Sequence, residues 1–262
     1  MLVDSHCHLD YLEREGQNLD EIVARAKRNG VGVMVTIGTK MREFDKVLSI
    51  AERYPDIYCT VGVHPHEAEE EPDISAEQLV EISKHPKVIG IGETGLDYFY
   101  EHSPRDLQKA SFRRHIDAAR QTQLPLIVHT RDAEADTIEI LQDEYAKGAF
   151  PGIIHCFTSS RELAEKSIEI GFMISLSGIV TFKSAKDIQE SVRSFKTSDI
   201  LVETDAPFLA PVPNRGKQNE PSFVIHTAEK VAELQGLSAL EITNITTDNF
   251  FKMFAKAKRP IV

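Results

Sequence analysis

Six residues that can bind a divalent metal stand at the ends of short apolar runs spread along the whole sequence. Four are histidines and two are acids: His6, His8, Glu93, His129, His155 and Asp205. Imidazole suits zinc and other transition metals, and carboxylates also suit magnesium and manganese. A single tetrahedral ion takes about four ligands, so this set exceeds what one such ion needs. It predicts two divalent metal ions (Mg, Mn or Zn) that share a bridging carboxylate and a water.

Burial without a metal is the alternative for each of these residues. Taken singly, a histidine in an apolar strand is more often a hydrogen-bonded core residue than a ligand. Core packing, however, gives no reason for imidazole or carboxylate at the same end of one run after another. Burying such groups unpaired costs on the order of several kcal/mol each, and a shared metal removes that cost. The set as a whole therefore favours metal binding.

Eight apolar runs rich in Val and Ile predict buried strands. They cover residues 1–8, 31–38, 57–64, 87–93, 124–129, 152–155, 172–178 and 199–205. Between them lie amphipathic stretches with helical spacing, among them residues 19–29, 75–85, 107–122 and 160–170. Strands that alternate with helices predict parallel pairing and an α/β fold. Eight such units predict one (β/α)8 TIM barrel, a single domain over residues 1–262.

The six residues fall where a barrel of this kind carries its active site, at the C-terminal ends of the strands. Residues two apart on a strand point to the same side. His6 and His8 are therefore expected to face one cavity, while Cys7 points away. Glu203 and Asp205 are predicted to form a similar pair on the eighth strand.

Glu93, on the fourth strand, is the natural bridge between two metals because its position is central. His129 and His155 are then expected to hold the second metal, opposite the histidine pair of the first strand. Asp205 is predicted to take a proton from the shared water and pass it to the leaving oxygen. Glu93 and Asp205 are thus the predicted catalytic carboxylates. Glu203 is expected to orient a ligand rather than to bind metal itself.

Candidates for contact with a substrate phosphate lie beyond the strand ends. They are His64, Arg131, Arg215 and Lys217. His64 is equally compatible with a hydrogen-bonded histidine at the rim, and Arg131 with an ion pair to Asp132 or Glu134. Arg215 and Lys217 belong to a Pro-rich loop, which is either a basic patch near the metals or simply solvated. The remaining helix and loop histidines are expected to be solvated: His85, His102, His115 and His226.

The chain is acidic, with a formal net charge of −11 and a pI of about 5.4. This excludes broad coating of nucleic acid through a basic surface. It leaves a nucleic-acid substrate open, because two divalent cations add about four positive charges where a phosphate would arrive. The sequence has no apolar stretch near the roughly 18 residues of a membrane span, and it has no signal-peptide pattern. Three cysteines on or beside predicted strands indicate reduced core thiols and a cytoplasmic location without a membrane partner.

Several longer segments resemble the TatD family of metal-dependent deoxyribonucleases, a branch of the amidohydrolase-like barrels. They include DSHCHLD, GVHPHE, GIGETGLDY, PLIVHTRDA, IIHCF, SLSG followed by TFK, and ETDAPFLAPVPNRGKQNEP, in family order. The resemblance implies a (β/α)8 barrel, a two-metal centre and hydrolysis of DNA phosphodiester bonds, often from the 3′ end. It places the family's ligands on the six residues named above. Gln218 stands where the family commonly has Arg, which removes one possible phosphate contact.

Three classes of function follow from these observations. The first is a deoxyribonuclease of the 3′-5′ exonuclease type, acting on a DNA 3′ end or single strand as a monomer. The second is hydrolysis of another ester or amide on the same centre, such as a small phosphodiester, a lactone or an aminoacyl-tRNA. The third is a partner-binding barrel without catalysis. Six intact ligand positions argue against the third, because binding alone has no chemical need for them.

Overall fold

The computed structural model describes residues 1–260. Eight strands form one sheet in the order of the sequence, and every hydrogen-bonded pair is parallel. The strands are β1 (Leu2–Cys7), β2 (Val31–Thr36), β3 (Ile57–Val61), β4 (Val88–Asp97), β5 (Leu126–Arg131), β6 (Gly152–Ile154), β7 (Met173–Leu176) and β8 (Ile200–Val202). The prediction of a (β/α)8 barrel is confirmed.

Helices cover the outside of the sheet. They are α1 (Leu9–Arg14), α2 (Leu19–Arg28), α3 (Phe44–Arg53), α4 (Ala76–Ser83), α5 (Arg105–Thr122), α6 (Glu134–Lys147), α7 (Arg161–Glu169), α8 (Lys186–Ser194), α9 (Val224–Gln235) and α10 (Ala239–Met253). Capping boxes start two of them, Ser75 with Gln78 on α4 and Ser238 with Glu241 on α10. Within residues 1–260, none of the helices is long and apolar enough to cross a membrane.

The inside of the barrel is a separate apolar core to which every strand contributes. Its strand residues are Val3, Val33, Val35, Tyr58, Ile89, Ile127, Ile153, Met173 and Leu201. Phe250 and Phe254, on or just past α10, fill the same core from the N-terminal end. Thr247 of α10 also donates to the Met1 carbonyl at 2.7 Å. Apolar side chains thus fill the N-terminal end, and the candidate ligands lie at the C-terminal end, as in barrels of this type.

A β-bulge in the first strand sets the direction of its histidines. Val3 belongs to the inner core, whereas Cys7 belongs to the core between sheet and helices. Strict alternation would put both on one side, since they are four residues apart. The register between β1 and β2 shifts between Asp4 and Cys7, which reverses the alternation. His6 can therefore face the C-terminal cavity even though Val3 also points inward.

Hydrogen bonds beyond the regular ladder join β8 to β1. The Asp205 N–H donates to the His6 carbonyl at 2.9 Å, and the His8 N–H donates to the Ala206 carbonyl at 2.7 Å. Deeper in the barrel, the buried Asp4 carboxyl accepts from the backbone N–H of Thr204 at 2.8 Å and from its hydroxyl at 2.6 Å. These bonds hold the two ends of the sheet together beside the candidate site.

Candidate metal centre

Glu93 lies at the centre of the cluster and turns its two carboxylate oxygens to different histidines. Oε2 is 3.4 Å from His6 Nε2 and 3.9 Å from His8 Nε2. Oε1 is 3.2 Å from His129 Nδ1 and 2.9 Å from His155 Nε2. One carboxylate is thus shared by histidines from β1 on one side and from the ends of β5 and β6 on the other. This is the arrangement that a bridging ligand requires.

Asp205 completes the half of the centre that is built on β1. Its Oδ1 atom lies 3.6 Å from His6 Nε2 and 3.4 Å from His8 Nε2. The ring of His6 also stacks on that of His155, with 3.8 Å between centroids. The structure therefore brings all six predicted residues into one cluster. Asp205 and Glu203 both follow β8, which ends at Val202, so their placement comes from a loop and not from the predicted extension of the strand.

Three buried histidine nitrogens without hydrogen-bond partners indicate that the cluster is suited to binding metal ions. His6 Nδ1, His6 Nε2 and His8 Nδ1 are buried and make no hydrogen bond. Leaving such groups unsatisfied is costly, and native structures rarely do so. Three sets of potential ligand atoms lie within 4.8 Å of one another. They come from His6, His8 and Glu93, from His64, Glu93 and His129, and from His6, His155 and Glu203. Divalent cations would satisfy both the orphaned nitrogens and the acids.

The buried acids of the cluster favour the binding of a positive charge. Burial alone would raise the pKa of Glu93, but His155, His64 and the hydrogen bonds around it hold that pKa well below its usual range. Burial also opposes protonation of His155, yet Glu93 and Glu203 raise its pKa well above the ordinary value. The acids thus attract either a proton or a metal ion. Burial lowers the pKa of His64 to about 4, so that imidazole is neutral, and its Nδ1 atom accepts the His66 N–H at 3.2 Å.

Glu203 holds the ring of His155 in place. Its Oε1 atom lies 3.2 Å from His155 Nδ1 and accepts the Cys156 N–H at 2.8 Å. Its other oxygen accepts the hydroxyl of Ser175. These contacts leave Glu203 fully buried and fix the ring of His155. Its geometry is that of a group which orients a ligand.

Sequence reasoning missed Asp97, which holds two histidines beside the centre. Its Oδ2 atom lies 3.1 Å from His129 Nε2 and 2.8 Å from His66 Nε2. Burial would raise the pKa of Asp97, but the hydrogen bonds from these histidines place it below the usual range. Asp97 ends β4, which continues four residues past the predicted end at Glu93. The GLDY segment was the available signal, because its aspartate follows a candidate ligand on the same run.

Gly95 permits the close approach of β4 and β5 at this point. Its φ of +133° lies in the region that favours glycine, and a Cβ there would stand 2.0 Å from the His129 carbonyl oxygen. A side chain at Gly95 would therefore displace the strand that carries His129.

One prediction about the histidines is wrong. His115 was expected to be solvated, but it is fully buried on the inner face of α5. Its Nε2 atom accepts the Val63 N–H at 2.9 Å, and its Nδ1 atom lies 2.8 Å from the Ser111 carbonyl. The error arose because a single polar residue on the apolar face of a helix can be satisfied by a neighbouring loop. Of the others, His102 is exposed, and His85 and His226 are half-buried.

The four candidate substrate residues fall into two groups. His64 Nε2 is 3.5 Å from Glu93 Oε1, so this histidine belongs to the cluster itself. The guanidinium of Arg131 lies 3.9 Å from the ring centroid of Phe99. Among residues 1–260 its side-chain contacts are with the rings of Phe99 and Tyr100, and no ion pair with Asp132 or Glu134 forms.

Arg215 and Lys217 are exposed on the loop between β8 and α9. Arg215 stacks on Phe182 at 3.9 Å, and Lys217 donates to Asn214 at 3.4 Å. Gln218, the residue that departs from the family pattern, donates to Glu15. None of these contacts reaches the histidine cluster, so a role for this loop rests on the substrate extending to it.

The family described as TatD related DNase matches residues 3–255. The chain belongs to this family. A relative named uncharacterized metal-dependent hydrolase YabD, from Bacillus subtilis, is 42% identical over 254 residues, or 97% of this chain and 99% of the relative. The 3′-5′ ssDNA/RNA exonuclease TatD of Salmonella typhimurium is 30% identical over 240 residues, or 90% and 92% of the two chains.

A solved structure of the TatD family has the same fold. YJJV, a TatD homologue from Escherichia coli K12, superposes with a TM-score of 0.89 at 28% identity and covers 97% of this chain and 98% of its own. Membership of the TatD family makes the chain a metal-dependent hydrolase, and the prediction is confirmed at that level. The names of these relatives differ in detail: one specifies a nuclease and another names no substrate.

Proposed function

We propose that this TatD-family hydrolase is a deoxyribonuclease of the 3′-5′ exonuclease type that acts on single-stranded DNA with two divalent cations. The observation that carries the proposal is the shared carboxylate of Glu93, whose two oxygens face separate groups of histidines. Paired cations about 3.5–4 Å apart suit phosphodiester cleavage because they stabilise both the attacking and the leaving oxygen. The name of the Salmonella relative supports the same substrate class.

The residues divide between the two cations. His6, His8 and Asp205 would hold one, since their potential ligand atoms converge on one side of Glu93. His129 and His155 would hold the other on the opposite side. When bound, the cations would supply positive charge to the phosphate and lower the pKa of a nearby water. Magnesium, manganese and zinc all remain compatible with this mixed set of donors.

Asp205 would serve as the base. Burial alone would raise its pKa, but hydrogen bonding to His8 and the charges of His6 and His155 lower it, so the carboxylate is ionised at neutral pH. It would take the proton of the attacking water and return it to the 3′ oxygen that leaves. His64 and Arg131 would contact the phosphate oxygens, the first beside Glu93 and the second at the end of β5.

A substrate panel tests this proposal. The purified protein is incubated with 5′-labelled single-stranded DNA, duplex DNA, a small phosphodiester, a lactone and an aminoacyl-tRNA, each with and without a chelator. We expect the single strand to shorten one nucleotide at a time from its 3′ end, and the chelator to stop the reaction. Rapid hydrolysis of the lactone or the aminoacyl ester, with DNA left intact, would replace the nuclease proposal by the second class of function.

A further inference from the structure

Exposed large hydrophobic side chains are concentrated at the C-terminal end of the barrel. Within residues 1–260 they are Phe99, Tyr100, Phe208, Val212 and Leu240. Phe99 and Tyr100 lie just past β4, after Tyr98, and are 55% and 50% exposed, while Phe208 lies in the loop after β8 and is 48% exposed. Leu240, at the start of α10, lies at the opposite end of the barrel, where it lines a cavity with Met1 and Gly30. Tyr100 stacks on His102 and meets Phe99 edge-on, yet about half of each ring stays exposed beside the candidate site. Exposed apolar surface of this kind often marks a binding site.

Phe99 and Tyr100 lie on one side of the candidate metal centre, and Phe208 lies on the other. On one side, the ring of Tyr100 packs against His66 with 5.4 Å between centroids, and His66 bonds Asp97, which also bonds His129. On the other side, Phe208 approaches the ring of His8 at 6.1 Å. His8 follows β1 and His129 lies on β5, and these strands stand four apart in an eight-stranded sheet. A chain that touches both groups would cross the centre.

The carboxylate of Asp97 links Phe99 and Tyr100 to the candidate metal centre. Asp97 Oδ1 accepts the backbone N–H of Phe99 at 3.0 Å and that of Tyr100 at 2.9 Å. The other oxygen of Asp97 lies 3.1 Å from His129. The two rings are therefore positioned by the same group that positions a candidate metal ligand. Fixed placement of this kind is expected of a binding surface and not of a loop that is merely solvated.

Arg131 lies beside these rings and, within residues 1–260, has no ion-pair partner. The guanidinium of Arg131 lies 3.9 Å from the centroid of Phe99 and 4.8 Å from that of Tyr100. Within residues 1–260 no carboxylate comes within 4.0 Å of it, although the chain has 41 acids against 30 Lys and Arg. The nearby Glu101 is engaged by Arg105. A guanidinium held beside aromatic rings and left without a carboxylate is suited to a phosphate.

We propose that Phe99, Tyr100 and Arg131 form a subsite for single-stranded nucleic acid, with bases stacking on the rings and a backbone phosphate meeting Arg131. Phe208 provides a second stacking surface across the centre. Single strands are the class that fits, because their bases offer open faces, whereas duplex bases are already stacked. This inference rests on the proposed nuclease function and specifies how that activity selects its substrate.

Fluorescence provides a direct test because the chain contains no tryptophan. Phe99→Trp creates a single tryptophan at the subsite, which can be excited without exciting the tyrosines, and Leu240→Trp creates a matched one at the far end of the barrel. Both metal-loaded proteins are titrated with a phosphorothioate oligo(dT), which resists hydrolysis, and with an abasic strand of equal length. We expect oligo(dT) to quench the Phe99→Trp protein much more than the abasic strand does, and to leave the Leu240→Trp protein unchanged. Equal responses to both strands, or none, would overturn the stacking subsite.

Kinetics on single-stranded DNA give a second test. Replacing both rings, Phe99→Ala with Tyr100→Ala, is expected to raise KM for an oligonucleotide about ten- to a hundredfold, the scale of losing stacked bases. The preference for an oligonucleotide over a dinucleotide should fall by a similar factor. Exchanging the rings, Phe99→Tyr with Tyr100→Phe, keeps both stacking surfaces and should keep KM. Leu240→Ala is the control for loss of an exposed hydrophobic side chain.

The outcomes separate this inference from the proposed function. If the wild-type protein shortens DNA and the ring-less variant has the same KM, the subsite is wrong and the nuclease proposal stands. If the wild-type protein shortens no nucleic acid, the proposed function fails. In that case the quenching experiment still decides whether the rings stack on bases, and absence of base-dependent quenching would remove the subsite as well.

Discussion

Asp205 occupies a backbone conformation that residues other than glycine rarely adopt, with a φ of +57°. Such a conformation costs on the order of 1–3 kcal/mol and persists where its surroundings hold it in place. Here the hydrogen bond from its N–H to the His6 carbonyl provides that restraint. The conformation brings the carboxylate within 3.4 Å of His8 Nε2. Strain at this residue is therefore consistent with a role in the chemistry.

Replacing Asp205 with asparagine tests that role. We expect Asp205→Asn to fold normally and to lose at least about two decades of kcat on single-stranded DNA, the usual scale for a lost general base. Circular dichroism checks the fold and single-turnover kinetics check the rate. A well-folded Asp205→Asn protein with near wild-type turnover would assign the proton transfer to another group.

Metal affinity is expected to depend on Asp97, which contacts a candidate ligand. Asp97→Asn is expected to weaken binding of one cation by roughly ten- to a hundredfold, because the carboxylate orients His129. Competition with a chromophoric chelator measures this directly. Asp248→Asn, which breaks an exposed pair with Arg259, is the control and should bind metal like the wild-type protein. Equal affinity in both variants would show that His129 needs no support from Asp97.

At the scale of elements, the sequence located every strand but not every residue that the strands position. Val and Ile runs mark the buried strands, and a histidine or acid at the end of six of the eight runs marked the C-terminal end of the barrel. The extension of β4 to Asp97 was missed, because Thr94 and the glycines of that segment interrupt the apolar pattern. The bulge in β1 also leaves no compositional mark, since it is a shift in register with the neighbouring strand. Both features depend on how neighbouring strands pair in three dimensions, which the residues of one strand alone do not show.

Glu144 joins α5 to α6 and offers a test of stability. Burial alone would raise its pKa, but hydrogen bonds from Lys147, Arg113 and Arg120 lower it from 4.5 to about 2. A lowered pKa stabilises the fold above the unfolded value near 4.5, and this contribution is lost as the pH falls toward 2. Because its partners are partly solvated, we expect Glu144→Gln to cost about 2 kcal/mol at pH 7.

Urea denaturation at several pH values measures this contribution. The difference between the wild-type protein and Glu144→Gln should be full at pH 7 and should shrink below about pH 4.5. Glu81→Gln removes an exposed pair with Lys84 and serves as the control, with little change expected. A loss for Glu144→Gln that stays constant down to pH 3 would point to altered packing and not to the ionised carboxylate.

For the whole molecule, charge constrains how a nucleic acid can bind. The net charge of −11 repels a polyanion, so attraction must come from the metal centre and from a few cations near it. The exposed Arg215 and Lys217 and the unpaired Arg131 are the candidates that the structure offers. The cytoplasmic location and the monomeric state, both expected from the sequence, stay predictions.

Salt dependence tests this view of binding. We expect affinity for single-stranded DNA to fall only gently with salt, as for roughly two to four phosphate contacts. Replacing both loop cations, Arg215→Ala with Lys217→Ala, should weaken binding of an oligonucleotide more than that of a dinucleotide and should flatten the salt slope. Fluorescence anisotropy over a salt series measures both. Equal losses on the two substrates would place the loop at the chemistry, and no loss on either would mean that it is only solvated.

We propose that two cations share Glu93 at the C-terminal end of the barrel. The most direct measurement is elemental analysis of metal-loaded protein, combined with anomalous diffraction from the same preparation. We expect two ions per chain, one beside His6, His8 and Asp205 and one beside His129 and His155, with Glu93 between them. Metal density elsewhere, with His129 and His155 free of metal, would contradict the account.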